Sequence, residues 1–249
     1  MSRDWLLVSE VFRSHQGEGP STGQLATFVR LGGCGLTCKW CDTPYTWVFT
    51  ERQRKLHRGD KLYDPKEELT RKASIALADE LCGYNGKLIV ISGGEPMLQQ
   101  EGISHLISAI IARSDDKRFE IETAGVVTPS EALIPFDYRI RYNVSLKLAS
   151  SGNPTMKRRV PSAIRYFVYS NAIFKFVITR DNLQQDIDEV SELAKKYDIA
   201  PYRIWLMPEG TTQLDQISGA QQLAPIALSW GVNFSTRLHV LAYGDTRGT

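Results

Sequence analysis

Cysteine is scarce in this chain, with four in 249 residues. A disulfide framework would spread an even number through a short secreted chain, so that class is excluded. Net charge is nearly missing: 30 basic against 28 acidic residues leave +2, too little for a strongly basic nucleic-acid binder. No apolar run approaches the ~18 residues of a membrane span. The opening MSRDWLLVSEVFRS has no apolar signal core. A cytoplasmic protein with no membrane partner is therefore expected. Repeats, low-complexity tracts and linkers are also missing, which predicts one domain over residues 1–249. Two basic tracts, residues 52–58 and 157–159, lack interleaved aromatics for stacking and are expected to be solvated loops, with no nucleic-acid partner.

What is present is the composition of a soluble globular protein, 42% hydrophobic and 23% charged. Short β-branched runs alternate with helix-period segments. Residues 6–12, 26–31, 87–92, 119–123, 139–146, 173–179 and 203–207 predict strands, and 238–242 predicts one more. A polar stretch at 48–66 has no periodicity and predicts a long loop inserted in the domain. Asp64, Pro65 and Glu67 read as a helix start, with Leu69, Ala73, Ala76, Leu77 and Leu81 on its apolar face and Gly83 at its end. Leu106, Ile107, Ile110 and Ile111 mark a second helix. Leu183, Ile187, Val190, Ala194 and Tyr197 mark a third, with Asp181 as its cap. Strand–helix alternation predicts an α/β fold with a parallel sheet. About six βα steps fit the length, so a partial, open parallel β/α barrel of about six strands is expected.

Three of the four cysteines crowd into eight residues as C-x3-C-x2-C: Cys34, Cys38 and Cys41, directly after a predicted strand. A closed zinc site needs four ligands, which Cys82, His57 or His15 would have to complete. Cys82 falls on the apolar side of a helix and His57 in the basic loop, where it is expected to be solvated. A four-iron cluster held by three thiolates leaves one iron open to a further ligand, and the surrounding glycines let backbone wrap it closely.

This motif, with Trp40 before the last cysteine, resembles the radical S-adenosylmethionine (SAM) superfamily. Ser92-Gly93-Gly94-Glu95-Pro96 resembles its GGEP segment. Within the superfamily, His15-Gln16-Gly17-Glu18-Gly19, Gln24, Phe28-Val29-Arg30, Cys41-Asp42-Thr43 and Tyr45-x-Trp47 are arranged as in the 7-carboxy-7-deazaguanine synthase family. Looser likeness continues through Glu122-Thr123-Ala124-Gly125, Ser145-Leu146-Lys147, Met207-Pro208-Glu209-Gly210 and the tail Arg237-Leu238-His239. The family often has Asn at the position of Ala124 and Pro at that of Leu146.

The resemblance implies a 4Fe-4S cluster on Cys34, Cys38 and Cys41, and SAM as cosubstrate. SAM would be lined by Trp40, Cys41, Asp42, Gly94, Glu95, Ser145, Leu146, Lys147, Met207, Pro208, Glu209 and Gly210. Glu95 and the adjacent backbone would take its amino group. A 6-carboxytetrahydropterin substrate would meet His15, Gln16, Gly17, Glu18, Arg30, Ser92 and His239. An amide and a carboxylate suit its ring edge, and a guanidinium suits its carboxylate. Mg²⁺ would sit on Thr43 with the substrate carboxylate and water. An electron donor such as flavodoxin or ferredoxin and a homodimer are also implied. Two other readings remain open here: an activase of a glycyl-radical enzyme, and a non-enzymatic metal-binding module.

Overall fold

The computed structural model describes residues 4–249. Its strands are β1 (Trp5–His15), β2 (Leu25–Leu31), β3 (Thr70–Ala73), β4 (Leu88–Gly93), β5 (Arg118–Thr123), β6 (Ile140–Val144), β7 (Ala172–Ile178), β8 (Ile204–Pro208) and β9 (Asn233–Phe234). They form one sheet in the order β3-β1-β2-β4-β5-β6-β7-β8-β9. From β2 through β4 to β8, six strands pair in parallel in chain order, which is the expected open barrel. The short β9 extends the parallel edge. At the other edge β1 runs antiparallel to β2, and β3 antiparallel to β1.

Side chains alternate across a strand, and here the two faces differ in chemistry. One face carries Val29, Leu31, Ile89, Ile91, Phe119, Ile121, Tyr142, Val144, Phe174, Phe176, Ile204 and Leu206, all in the main hydrophobic core. Against it pack Leu77 and Leu81 of the helix Ser74–Cys82, Leu106, Ile107 and Ile110 of Gln100–Ile111, and Ile187 and Val190 of Leu183–Tyr197. Each fully buried Leu, Ile or Phe contributes about 1.5–3 kcal/mol against exposure. The opposite face carries Arg30, Ser92, Glu120, Glu122, Asn143 and Lys175. It turns toward the barrel interior, where most of these residues line one large cavity or bond to residues that do.

Several local expectations are corrected. Asp64 does cap a helix, accepting from Lys66 N at 2.8 Å, but only the four residues Pro65–Glu68. Leu69 then turns extended, and residues 70–73 pair with β1 before the helix Ser74–Cys82 begins. Exposed Thr70 and Arg71 favour an edge strand over another helical turn. The loop at 48–66 contains the short helix Glu51–Arg54. Asp181 does not cap Leu183–Tyr197, which starts at Asn182 without a side-chain cap. Buried Asp186 instead accepts from Thr179 N and Oγ1, both at 2.8 Å. Residues 238–242 belong to the helix Leu238–Tyr243 rather than to a strand. The basic tract at 157–159 is not a solvated loop: Arg158 is buried, and with Arg159 it pairs with Glu189.

Two further helices longer than a single turn were not anticipated, Pro161–Tyr169 and Gln213–Trp230. The second exposes Leu214, Ile217 and Leu228 and contains Pro225, which blurs its 3.6-residue period. Its capping box, Thr212 with Asp215, was the available signal. Among the described residues, no helix is long and apolar enough to cross a membrane.

Candidate active site

A cavity of about 690 Å³ opens at the carboxyl ends of the parallel strands, with Cys34, Cys38 and Cys41 in its wall. The three cysteines follow β2 on a loop clamped from several sides. Gly33 N donates to Thr46 O at 2.8 Å, Glu95 N to Gly33 O at 2.8 Å, and Gly94 N to Leu31 O at 2.9 Å. A Cβ on Gly94 would lie 2.1 Å from Gly33 O, so only glycine lets β4 close on this loop. Lys39 N reaches Ser151 O at 3.0 Å on the loop after β6. His57, expected to be solvated, bonds Cys41 O through Nε2 at 2.8 Å and packs edge-on against Trp47.

Leu36, Cys38 and Ala124 form a small apolar pocket around the thiols, with Cys34, Cys41 and Val126 against it. Burial pushes the Cys34 thiol up to about 12, aided by the charges of Glu95 and the other two cysteines. Burial, then Asp42 and Cys38, push Cys41 up to about 11, and Cys38 is raised as well. Such thiols would release their protons when iron displaces them rather than by simple ionisation near neutral pH. Cys82 lies apart, partly buried against the main core at the end of the helix Ser74–Cys82. The residues therefore suit a cluster bound by three thiolates in a largely apolar pocket.

Below the thiols the interior is ionic. Lys175, 3% exposed in its side chain, donates to Glu18 and to Glu122 at 2.7 Å. Arg237 donates to Glu18 at 3.1 Å, to Gly210 O at 3.0 Å, and to Asp42. Burial alone would raise Glu18, but Lys175, Arg237 and His239 hold it well below the usual carboxylate range. Asp42 is likewise lowered against its burial, by Arg237 first. Glu122 stays raised because burial outweighs Lys175. His239 is lowered by burial and stays neutral near pH 7.

Of the residues singled out in the sequence, His15, Gln16, Gly17, Glu18, Arg30, Trp40, Asp42, Thr43, Ser92, Gly94, Ser145, Lys147, Met207, Glu209, Gly210 and His239 all border this cavity. Gly17 is needed there, since a Cβ would come within 2.0 Å of His239 Nδ1. Glu95, Leu146 and Pro208 do not border it. Glu95 is 1% exposed, and its carboxylate accepts from Thr123 Oγ1 at 2.7 Å, Ala124 N at 2.8 Å and Met97 N at 3.1 Å. It joins the ends of β4 and β5. Gln16 is also fully engaged: its Nε2 donates to Glu120 and Glu122, and its Oε1 accepts from Glu18 N at 3.3 Å. Arg30 pairs with Glu10 at 2.5 Å and lies over Phe12. Ser92 Oγ and Trp40 Nε1 are buried without a protein partner.

Lys175, Arg237, Glu122 and Glu120 were missed as a set. For Glu120, Glu122 and Lys175 the signal was in the strands: FEIET and IFKFVI alternate charge with bulky apolar residues, although a parallel strand covered on both faces reads as continuously apolar. Such alternation marks a polar interior.

The family model of the radical SAM superfamily matches residues 28–214. The fold, the three-cysteine loop after β2 and that match together make the chain a radical SAM protein. The 7-carboxy-7-deazaguanine synthase of Hyperthermus butylicus is 35% identical over 240 residues, covering 95% of this chain and 92% of that one. The synthase of Pyrobaculum aerophilum is 32% identical over 245 residues, covering 97% and 96%. The crystal structure of QueE from Escherichia coli shares the fold with a TM-score of 0.70, at 23% identity over 95% and 96% of the two chains. The chain belongs to the 7-carboxy-7-deazaguanine synthase family.

Proposed function

We propose that the chain converts 6-carboxy-5,6,7,8-tetrahydropterin to 7-carboxy-7-deazaguanine with loss of ammonia, a step toward 7-deazapurines such as queuosine. The observation that carries this reading is one cavity bordered at the same time by the three cysteines and by Glu18, Arg30, Ser92 and His239. Substrate and product differ in composition by ammonia alone, so the conversion is redox-neutral overall.

When bound, the cluster and SAM supply one-electron chemistry that yields a carbon radical. The protein's own part is to bind, orient and exclude water. Cys34, Cys38 and Cys41 would hold the cluster. Trp40, Ser145, Lys147, Met207, Glu209 and Gly210 would border SAM, with Trp40 Nε1 free to donate. Glu95 acts by fixing the β4 and β5 ends that SAM would meet. Arg30 offers a guanidinium for the substrate carboxylate. Glu18 and neutral His239 offer acceptors to the ring edge, Ser92 Oγ offers a hydroxyl, and Gln16 holds Glu18 in place. Thr43, 9% exposed in the cavity wall, would give one neutral oxygen to Mg²⁺, an ion that keeps much of its hydration. A flavodoxin- or ferredoxin-like donor and a homodimer complete the reading.

Anaerobic reconstitution with iron and sulfide, then incubation with SAM, Mg²⁺, dithionite and the carboxytetrahydropterin, tests it by mass spectrometry. The expected product is 7-carboxy-7-deazaguanine with little net SAM consumption. SAM cleavage without that product would remove the substrate assignment. Thr43→Ala is expected to lose Mg²⁺ stimulation and Thr43→Ser to keep it. Equal stimulation of both would remove Thr43 from the metal site.

A further inference from the structure

Each of the three cysteine sulfurs receives one N–H donor, and the donors come from different parts of the chain. Leu36 N lies 3.4 Å from Cys34 Sγ, within the loop itself. Asn153 Nδ2 lies 3.2 Å from Cys38 Sγ, from the loop after β6. Trp47 Nε1 lies 3.3 Å from Cys41 Sγ, six residues further along the chain. The two side chains are buried, Asn153 to 5% and Trp47 to 2% exposure, so water does not compete for either bond.

Asn153 is held in one orientation. Its Oδ1 accepts from Thr37 N at 2.8 Å, and a backbone N–H can only donate, so the amide nitrogen must face Cys38. Ser151 Oγ, 3.2 Å away, steadies that nitrogen. The Trp47 indole has only a donor to offer, and Cys41 is its hydrogen-bond partner.

Hydrogen bonds to cluster sulfur are one of the levers that set an iron–sulfur potential. An N–H dipole aimed at a thiolate stabilises the more negative, reduced state of the cluster more than the oxidised one. Resting on the assignment of the cluster to these three cysteines, we infer that Asn153 and Trp47 set its reduction potential by donating to Cys38 and Cys41. They are positioning and tuning residues: neither is a ligand and neither touches the reacting carbon atoms. The consequence is a cluster that is easier to reduce than the same three thiolates would make it without those two donors.

The test is a potentiometric titration of the reconstituted protein followed by electron paramagnetic resonance, on wild type, Asn153→Leu and Trp47→Phe. Both variants are expected to bind iron and sulfide as wild type does. At a fixed potential the ratio of reduced to oxidised cluster is expected to fall about tenfold in Asn153→Leu, equal to about 59 mV for a one-electron couple. Trp47→Phe is expected to shift in the same direction. An unchanged or raised potential in loaded variants would overturn the inference. If Asn153→Leu fails to load, Trp47→Phe decides it. Failure of both to load would also overturn it, by making the two contacts a scaffold for the loop. A wild-type chain that binds no cluster would instead sink the assignment beneath it.

Discussion

Lys175→Met removes one buried cation from between two buried carboxylates, and the structure sets how much that costs. Removing one partner of a buried ion pair costs about 3–5 kcal/mol, because the other charge stays behind unpaired. Here Glu18 keeps Arg237 at 3.1 Å, and Glu122 keeps Asn143 Nδ2 at 2.8 Å and Gln16 Nε2 at 3.2 Å. Those contacts place the loss near the lower end, about 3 kcal/mol. At about 2–4 °C per kcal/mol for a chain of this size, the midpoint should fall by about 6–12 °C. The sign of the pH dependence follows from Glu122, already raised by burial. Without Lys175 it rises further, so the native variant binds a proton that the unfolded chain has released. Native stability then falls as pH rises from the unfolded carboxylate range through that raised value. The deficit against wild type should be small near pH 5 and largest near pH 8, measured by thermal circular dichroism on the apoprotein. A midpoint within about 2 °C of wild type at both pH values would refute the reasoning, because Lys175 would then neutralise no buried charge.

The remaining predictions concern the cavity wall. Gly94→Val should abolish cluster loading, since its Cβ would meet Gly33 O at 2.1 Å and part the cysteine loop from β4; iron and sulfide analysis of reconstituted protein checks it. Ser92→Ala should leave the melting midpoint unchanged, because the buried hydroxyl has no protein partner to lose. It should also raise KM roughly five- to tenfold, about 1 kcal/mol for one hydrogen bond; an unchanged KM would remove Ser92 from the substrate site. Cluster assembly should be favoured by raising pH from about 7 to about 9, because the raised Cys34 and Cys41 thiols must release protons to bind iron. Cys82→Ser should load the cluster normally and Cys38→Ser should not, read by visible absorption.

Much of the fold was legible because parallel β/α repeats write their core face plainly. In the runs at 87–92, 119–123 and 173–179, Ile89, Ile91, Phe119, Ile121, Phe174, Phe176 and Ile178 join the core under the helices, whereas Leu88 and Val90 form a small separate cluster on the other face. The errors fall where tertiary contacts outweigh local pattern. Residues 70–73 continue a helical apolar spacing, yet they pair with β1 because an antiparallel edge was available there. Residues 238–242 have strand-like composition, but their start is fixed by Leu238 N donating to Gly17 O at 2.9 Å and Arg237 N to Gln216 Oε1 at 2.9 Å. Likewise the cysteine spacing pointed to a three-thiolate site and its likeness to a known family gave that site a reading, whereas the engagement of Gln16 and Glu95 within the protein was not legible. Their partners lie 28 to 106 residues away, apart from each one's local contact two residues on.

The charge network and the open sheet solve one problem together. β1 lies beside one edge of the sheet and β9 forms the other, so an open barrel leaves the segments following them without strand partners across the gap. Gly19 N donates to Ser235 Oγ at 3.1 Å and Leu238 N to Gly17 O at 2.9 Å, joining residues 17–19 to 235–238 across it. Arg237 sits at that junction. From it one guanidinium reaches Glu18 on the loop after β1, Asp42 next to Cys41, and Gly210 O on the loop after β8. Arg fits this duty because its planar fork offers several donors in fixed directions, where Lys offers a single point charge. The groups closing the gap thus also link Asp42, beside Cys41, to Glu18, which we propose meets the substrate ring. The geometry of the site depends on the C-terminal segment as directly as on the cysteine motif that announces it.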